Sequence, residues 1–121
     1  MSSILVVDDS ATVRDDVANF LRQHSLNVVT ANDGSEGLQQ LQANNTIKLV
    51  ICDVNMPHMD GLTMVEKSRG ELRSQVPIIM LTTENCPKMK ERGKAAGVKG
   101  WIVKPFNGPG ILGAIQKLMA S

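Results

Sequence analysis

Short apolar runs alternate with longer amphipathic stretches five times along the chain. Residues 4–7 are uniformly apolar and stop at Asp8-Asp9. A run of this length predicts a short apolar strand. Val13, Val17, Phe20 and Leu21 then recur at helical spacing, with Ser10 or Thr12 as the cap. Residues 26–31 predict a second strand, and Asn32-Asp33-Gly34 its turn. A second helix runs to about Ala43 with Leu38 and Leu41 inward, and Asn44-Asn45 breaks it.

The third run, residues 47–52, is apolar apart from Lys48 and leads straight into Asp53. Pro57 ends regular pairing, and Asp60-Gly61 turns the chain. Leu62, Val65, Arg69 and Leu72 mark a third helix, weakened at its end by Gly70. Residues 76–81 predict a fourth strand that ends at Thr82-Thr83-Glu84. Pro87 suits the first turn of a fourth helix. Lys88, Lys90, Arg92 and Lys94 crowd that helix, Gly93 interrupts it and Gly97 ends it. Residues 98–103 predict a fifth strand, ending at Lys104-Pro105. Asn107 caps a last helix with Ile111, Ile115, Leu118 and Met119 inward.

Strand and helix in strict alternation predict an α/β fold: a doubly wound, five-stranded parallel sheet with helices on both faces. Ligands of such sheets bind beyond the carboxyl ends of the strands. Four apolar runs each deliver a polar group to that edge: Asp8-Asp9, Asp53, Thr82 and Lys104. Taken singly, Asp8-Asp9 reads as a capping pair and Thr82 or Lys104 as an ordinary strand end. Four independent strand ends that agree point to a site.

Three carboxylates in one cleft either raise a pKa or recruit a cation. Oxygen ligands with open positions suit Mg²⁺, which keeps waters and favours phosphate oxygens. A carboxylate nucleophile, a metal, a cation and a hydroxyl donor form a set for phosphoryl transfer. Asp53 is the nucleophile candidate, because it ends the central strand. Asp8 and Asp9 are the metal-ligand candidates.

Composition narrows the alternatives. A length of 121 residues predicts one domain over residues 1–121 with no output domain. The net charge of +1, with two Phe, one Trp and no Tyr, argues against a nucleic-acid partner. No apolar run approaches the ~18 residues that span a bilayer, and no signal peptide is visible, so no membrane role is expected. Cys52 and Cys86 have no metal-ligand spacing and read as reduced thiols of a cytoplasmic protein. His24 and His58 read as surface residues, and the methionines as core and loop filling. The basic group Lys88, Lys90, Arg92, Lys94 and Lys99 reads as a solvated face, or more sharply as a dock for an acidic peptide.

At these residues the chain resembles the receiver domains of two-component response regulators, over its whole length. The resemblance rests on Asp8-Asp9, Asp53 with Asn55-Met56-Pro57 and Asp60-Gly61, Thr82, and Lys104-Pro105. It is nearest to the single-domain chemotaxis regulators of the CheY type. It implies the flavodoxin-like strand order 2-1-3-4-5. It implies that Asp53 takes a phosphoryl group from a phosphohistidine of a sensor histidine kinase, with Mg²⁺ held by Asp8 or Asp9, Asp53 and the carbonyl of Asn55. Lys104 would pair with phosphoryl oxygens, Thr82 would swing to bond them, and Trp101 would turn inward behind Thr82. Asn55 and Glu84 would tune loss of the phosphoryl group, and the Lys104-Pro105 bond would be cis. A downstream target protein would bind helix 4, strand 5 and helix 5 of a monomer. Two departures stand out: Trp101 where the family has Tyr or Phe, and a last helix rich in Gly and Pro.

Rival functions leave marks that can be checked. A phosphorelay intermediate, passing its phosphoryl group to a histidine phosphotransfer protein, would share all these residues. An aspartyl-nucleophile phosphatase of the haloacid-dehalogenase kind needs an acid two residues after the nucleophile, where this chain has Asn55. A flavin module needs a hydroxyl- and Gly-rich loop after strand 1, where this chain has Asp8-Asp9.

Overall fold

Five strands and five helices alternate in a computed structural model, which describes residues 2–83 and 85–120. The elements are β1 (Ser3–Val7), α1 (Ala11–Gln23), β2 (Asn27–Ala31), α2 (Gly34–Ala43), β3 (Ile47–Cys52), α3 (Gly61–Gly70), β4 (Ile78–Thr82), α4 (Pro87–Ala95), β5 (Gly100–Val103) and α5 (Gly108–Ala120). All strand pairs are parallel, in the order β2-β1-β3-β4-β5. Both the architecture and the order agree with the expectation.

Strand side chains alternate between two apolar layers because successive residues point to opposite faces. Leu5 and Val7, Val50 and Cys52, and Ile78 and Met80 face the layer shared with Leu38, Leu62, Val65 and Met89 of α2, α3 and α4. Ile4 and Val6, Leu49 and Ile51, and Ile79 and Leu81 face the layer of Val17, Leu21 and Ile115 from α1 and α5. β1 and β4 are buried throughout, and β3 in all but Lys48. Their continuous apolar runs follow from having helices on both faces.

Helix starts follow the capping residues. Ser10, Asp33 and Asp60 each accept a hydrogen bond from the amide three residues on, opening α1, α2 and α3. Asn107 opens α5, its carbonyl accepting from the Gly110 and Ile111 amides.

The structure moves several boundaries. β4 begins at Ile78, two residues later than expected, because the Val76 carbonyl accepts from Arg69 Nη1 and the Val76 amide donates to Ser74 Oγ. β5 begins at Gly100, because the Val98 amide is taken by the Gly93 carbonyl at the end of α4. α3 stops at Gly70 and leaves Leu72 outside it, and Arg73 then takes a left-handed φ of 53°. Gly93 does not interrupt α4, which runs unbroken to Ala95. An added Cβ at Gly93 would stand 3.2 Å from the Trp101 ring, so this glycine makes room for the indole beneath the helix. Gly97, at φ 83°, turns the chain out of α4 as expected.

Candidate active site

The carboxyl ends of β1, β3 and β5 meet around one ammonium group. Lys104, just past β5, places Nζ 3.1 Å from Asp8 Oδ2 and 3.2 Å from Asp53 Oδ2. The Lys104 amide donates to the Thr82 carbonyl, continuing the β4–β5 pairing to the strand end. The Lys104-Pro105 bond is cis, as the resemblance implies.

Asp8 and Asp53 are 3% and 5% exposed, so their charges lie largely out of water. Each is held by backbone as well as by Lys104. Asp8 Oδ1 accepts from the Ser10 amide at 2.9 Å, and Asp53 Oδ1 from the Val54 amide at 2.7 Å. The Asp53 amide donates to the Val7 carbonyl, which ties the two acid-bearing strand ends together. Burial pushes the Asp8 carboxyl above its ordinary value, and the Ser10 amide and Lys104 offset only part of that. Burial alone would lower the Lys104 ammonium, but Asp8 and Asp53 outweigh it and hold the group above its ordinary value.

Asp9 is exposed, yet one oxygen from each of Asp8, Asp9 and Asp53 falls within a 4.8 Å group. Two like charges about 5 Å apart repel by about 3 kcal/mol at an effective dielectric of ~20. One ammonium against three carboxylates leaves two negative charges uncompensated. All the donors are hard oxygens. That donor set and charge fit a divalent oxygen-loving cation such as Mg²⁺.

Of the other expected residues, Thr82 is fully buried at the end of β4, beside the Lys104 backbone. Asn55 stands exposed two residues after Asp53. Trp101 pairs with Met80 in the sheet and is half-buried below α4, the helix that follows Thr82. The last expected residue, Glu84, lies outside the described residues. His24 and His58 are exposed, as expected.

Sequence reading did not find two contributors. Arg14 of α1 donates from Nη1 to the Asp8 carbonyl at 2.7 Å, bracing the loop that carries the acidic pair. An Arg one turn into the helix after an acidic loop is a weak signal, because most such residues point to solvent. Gly61 was legible only as a turn residue. Its amide donates to the Val54 carbonyl, and any side chain there would overlap the Asp53 carbonyl oxygen.

Cys52 precedes Asp53 and is fully buried. Burial pushes its thiol far up, and the nearby carboxylates add to the effect, so it serves as packing rather than chemistry.

A model of the response regulator receiver domain matches residues 4–116. The chemotaxis protein CheY1 of Helicobacter pylori is 43% identical over 105 residues, which make up 85% of each chain. The solved structure of the chemotaxis protein CheY4 of Vibrio cholerae is 41% identical and superposes with a TM-score of 0.88 over 98% of both chains. A CheY-like receiver domain protein of Methanospirillum hungatei superposes with a TM-score of 0.91 at 28% identity, over 99% of this chain and 94% of that one.

Proposed function

The chain belongs to the response regulator receiver family, and from that premise we propose that Asp53 accepts a phosphoryl group from a phosphohistidine of a sensor kinase. The observation that carries this is the Lys104 ammonium held between Asp8 and Asp53, with Asp9 completing a three-carboxylate cluster.

Asp53 Oδ2 bonds to phosphorus while the phosphorus–nitrogen bond to the donor imidazole breaks. The imidazole leaves with the electron pair and takes up a proton. Asp53 Oδ1 stays anchored by the Val54 amide, so the carboxylate cannot turn away. Lys104, already 3.2 Å from Oδ2, is placed to hold a phosphoryl oxygen as charge develops. Asp8, Asp9, Asp53 and the Asn55 carbonyl would hold Mg²⁺, which neutralises the incoming phosphoryl charge when bound. The Ser10 amide and Arg14 keep Asp8 in position for that.

The chain performs no turnover on a separate substrate. It catalyses only its own phosphorylation and dephosphorylation, and Asn55 and Glu84 set the second rate. Signalling runs from Thr82 through Trp101 to the surface of α4, β5 and α5, where a target protein docks on the monomer. β5 is only partly buried and Val103 is 44% exposed, so this surface has apolar area to offer. By likeness to chemotaxis regulators the output is chemotaxis. An aspartyl phosphatase is disfavoured by Asn55 and by the receiver-type strand order.

The test is intact mass after brief exposure to a small acyl-phosphate donor, with and without Mg²⁺. One phosphoryl group should be added to the wild type only with Mg²⁺, and none to Asp53→Asn. Incorporation into Asp53→Asn at the wild-type rate would remove Asp53 from the role.

A further inference from the structure

The net charge of +1 conceals a separation. Nine of the twelve acids lie in residues 1–66, and ten of the thirteen bases in residues 67–121. The strand order β2-β1-β3-β4-β5 turns that separation along the chain into one across the sheet. The edge that carries β5 and α4 is the basic one.

α4 and its exit concentrate this charge. Lys88, Lys90, Arg92, Lys94 and Lys99 are all exposed. Arg92 is engaged with Glu66 of α3 at 2.6 Å. None of the ion pairs among the described residues involves Lys88, Lys90, Lys94 or Lys99.

The same helix lacks the side-chain cap that opens the first three: its N-cap, Cys86, makes no side-chain cap bond. Lys88 with Arg92, and Lys90 with Lys94, are like charges four residues apart, an arrangement that destabilises a helix. Gly93 weakens it further. Local rules are usually broken where a function requires it. Beside α4 runs a groove lined by Glu66, Arg69, Gly70, Arg92, Ala95 and Ala96. Its lining combines Gly70, Ala95 and Ala96 with the Arg92–Glu66 pair and with Arg69, whose guanidinium donates to the carbonyls of Ser74, Val76, Ala96 and Gly97.

We propose that the basic surface of α4, with the groove between α3 and α4 beside it, docks an acidic segment of a partner protein. This deepens the output reading above by naming the partner's chemistry, and it places part of the contact on the α3 flank. Glu91 is the one acid of α4 against four bases, so an acidic segment supplies negative charge where the helix is short of it and eases the repulsion along it. A polypeptide fits better than a nucleic acid, because the described face offers small apolar residues and no exposed aromatic ring for stacking.

The experiment uses the full, unphosphorylated chain and a labelled synthetic peptide of alternating Glu and Leu, with its Gln–Leu counterpart as control, read by fluorescence anisotropy at two salt concentrations. The expected result is binding of the Glu peptide alone, weakened by salt. The triple variant Lys88→Gln/Lys90→Gln/Lys94→Gln should bind about tenfold more weakly, from three exposed charges. Glu66→Gln should bind more tightly, because it releases Arg92. Arg22→Gln/Lys48→Gln, with exposed bases removed elsewhere, should bind as wild type. Equal binding of both peptides, or the same loss in the Arg22/Lys48 control, would overturn the proposal. So would tighter binding of duplex DNA or phosphatidylserine vesicles through the same lysines. Circular dichroism of each variant excludes unfolding as the cause of a loss. Phosphoryl incorporation at Asp53 is measured on the same variants. Incorporation without peptide binding sinks only the docking surface, and binding without incorporation sinks only the receiver chemistry.

Discussion

β1, β3 and β4 form one region of this molecule, and α4 with β5 another, and they are built by opposite rules. The first is closed on both faces. Leu5, Leu49, Val50 and Met80 have no exposure at all, and the acids of the site stand on the ends of these buried strands. The second is thin. Gly93 is the one buried residue of α4, and β5 has four residues, none fully buried. Chemistry that needs fixed carboxylates is placed on the rigid part. The surface proposed to dock a target lies on the part with little to lose by moving. Trp101 joins the two, being paired to Met80 in the sheet and lying under Gly93 of the helix.

Glycines should show the contrast most sharply. Gly61→Ala forces a Cβ into the Asp53 carbonyl oxygen, which is backbone and cannot yield. Its loss of stability should exceed the ~3 kcal/mol usual for overpacking, measured by urea unfolding. Gly113→Ala meets nothing within 4 Å on α5 and should gain about 0.5–1 kcal/mol. Equal effects from the two would erase the distinction.

Packing comes next. Leu49→Ala, at a site with no exposure, should cost about 3 kcal/mol. Val103→Ala, at 44% exposure, should stay within about 0.5 kcal/mol and still weaken target binding. A large stability loss at Val103 would show that the β5 edge is part of the core.

Capping gives a smaller effect and a way to reverse the contrast. Asp60→Ala removes the bond to the Thr63 amide and should cost about 1 kcal/mol. Cys86→Ser offers α4 the cap it lacks, and should raise stability by about 0.5 kcal/mol and slow amide exchange in α4. No change in that exchange would mean that α4 is limited by packing and not by its start.

The smallest effect is electrostatic. The hydrogen bond from Arg92 holds Glu66 below its ordinary carboxyl value. A depressed folded value stabilises the fold above the unfolded pKa, and that gain is lost as pH falls through the folded one. Both side chains are 43% exposed, so the pair should contribute only about 0.2–1 kcal/mol. The stability difference between wild type and Glu66→Gln should therefore shrink between pH about 6 and about 3, measured by urea unfolding across that range. A difference that grows towards acid would reverse the assigned sign.

The sequence by itself determined the order and type of every element, because five apolar runs of strand length between helical periods admit little else. It also marked the polar strand ends that make up the site. A strand buried on both faces tolerates a polar residue only where it ends, so Asp8-Asp9, Asp53 and Thr82 marked their own positions, and Lys104 followed the fifth run. The family resemblance supplied the strand order and the cis bond at Pro105, which periodicity does not encode.

Tertiary structure alone decided three things. It set where β4 and β5 begin, since Arg69 and the end of α4 take the carbonyl of Val76 and the amide of Val98 away from the sheet. It decided that Arg14 reaches the Asp8 carbonyl, a contact across a loop that no spacing rule specifies. And it decided that Gly93, a helix breaker by propensity, is the residue that lets α4 close over Trp101. Local preference acts through neighbours along the chain. These three depend on atoms that only folding brings together.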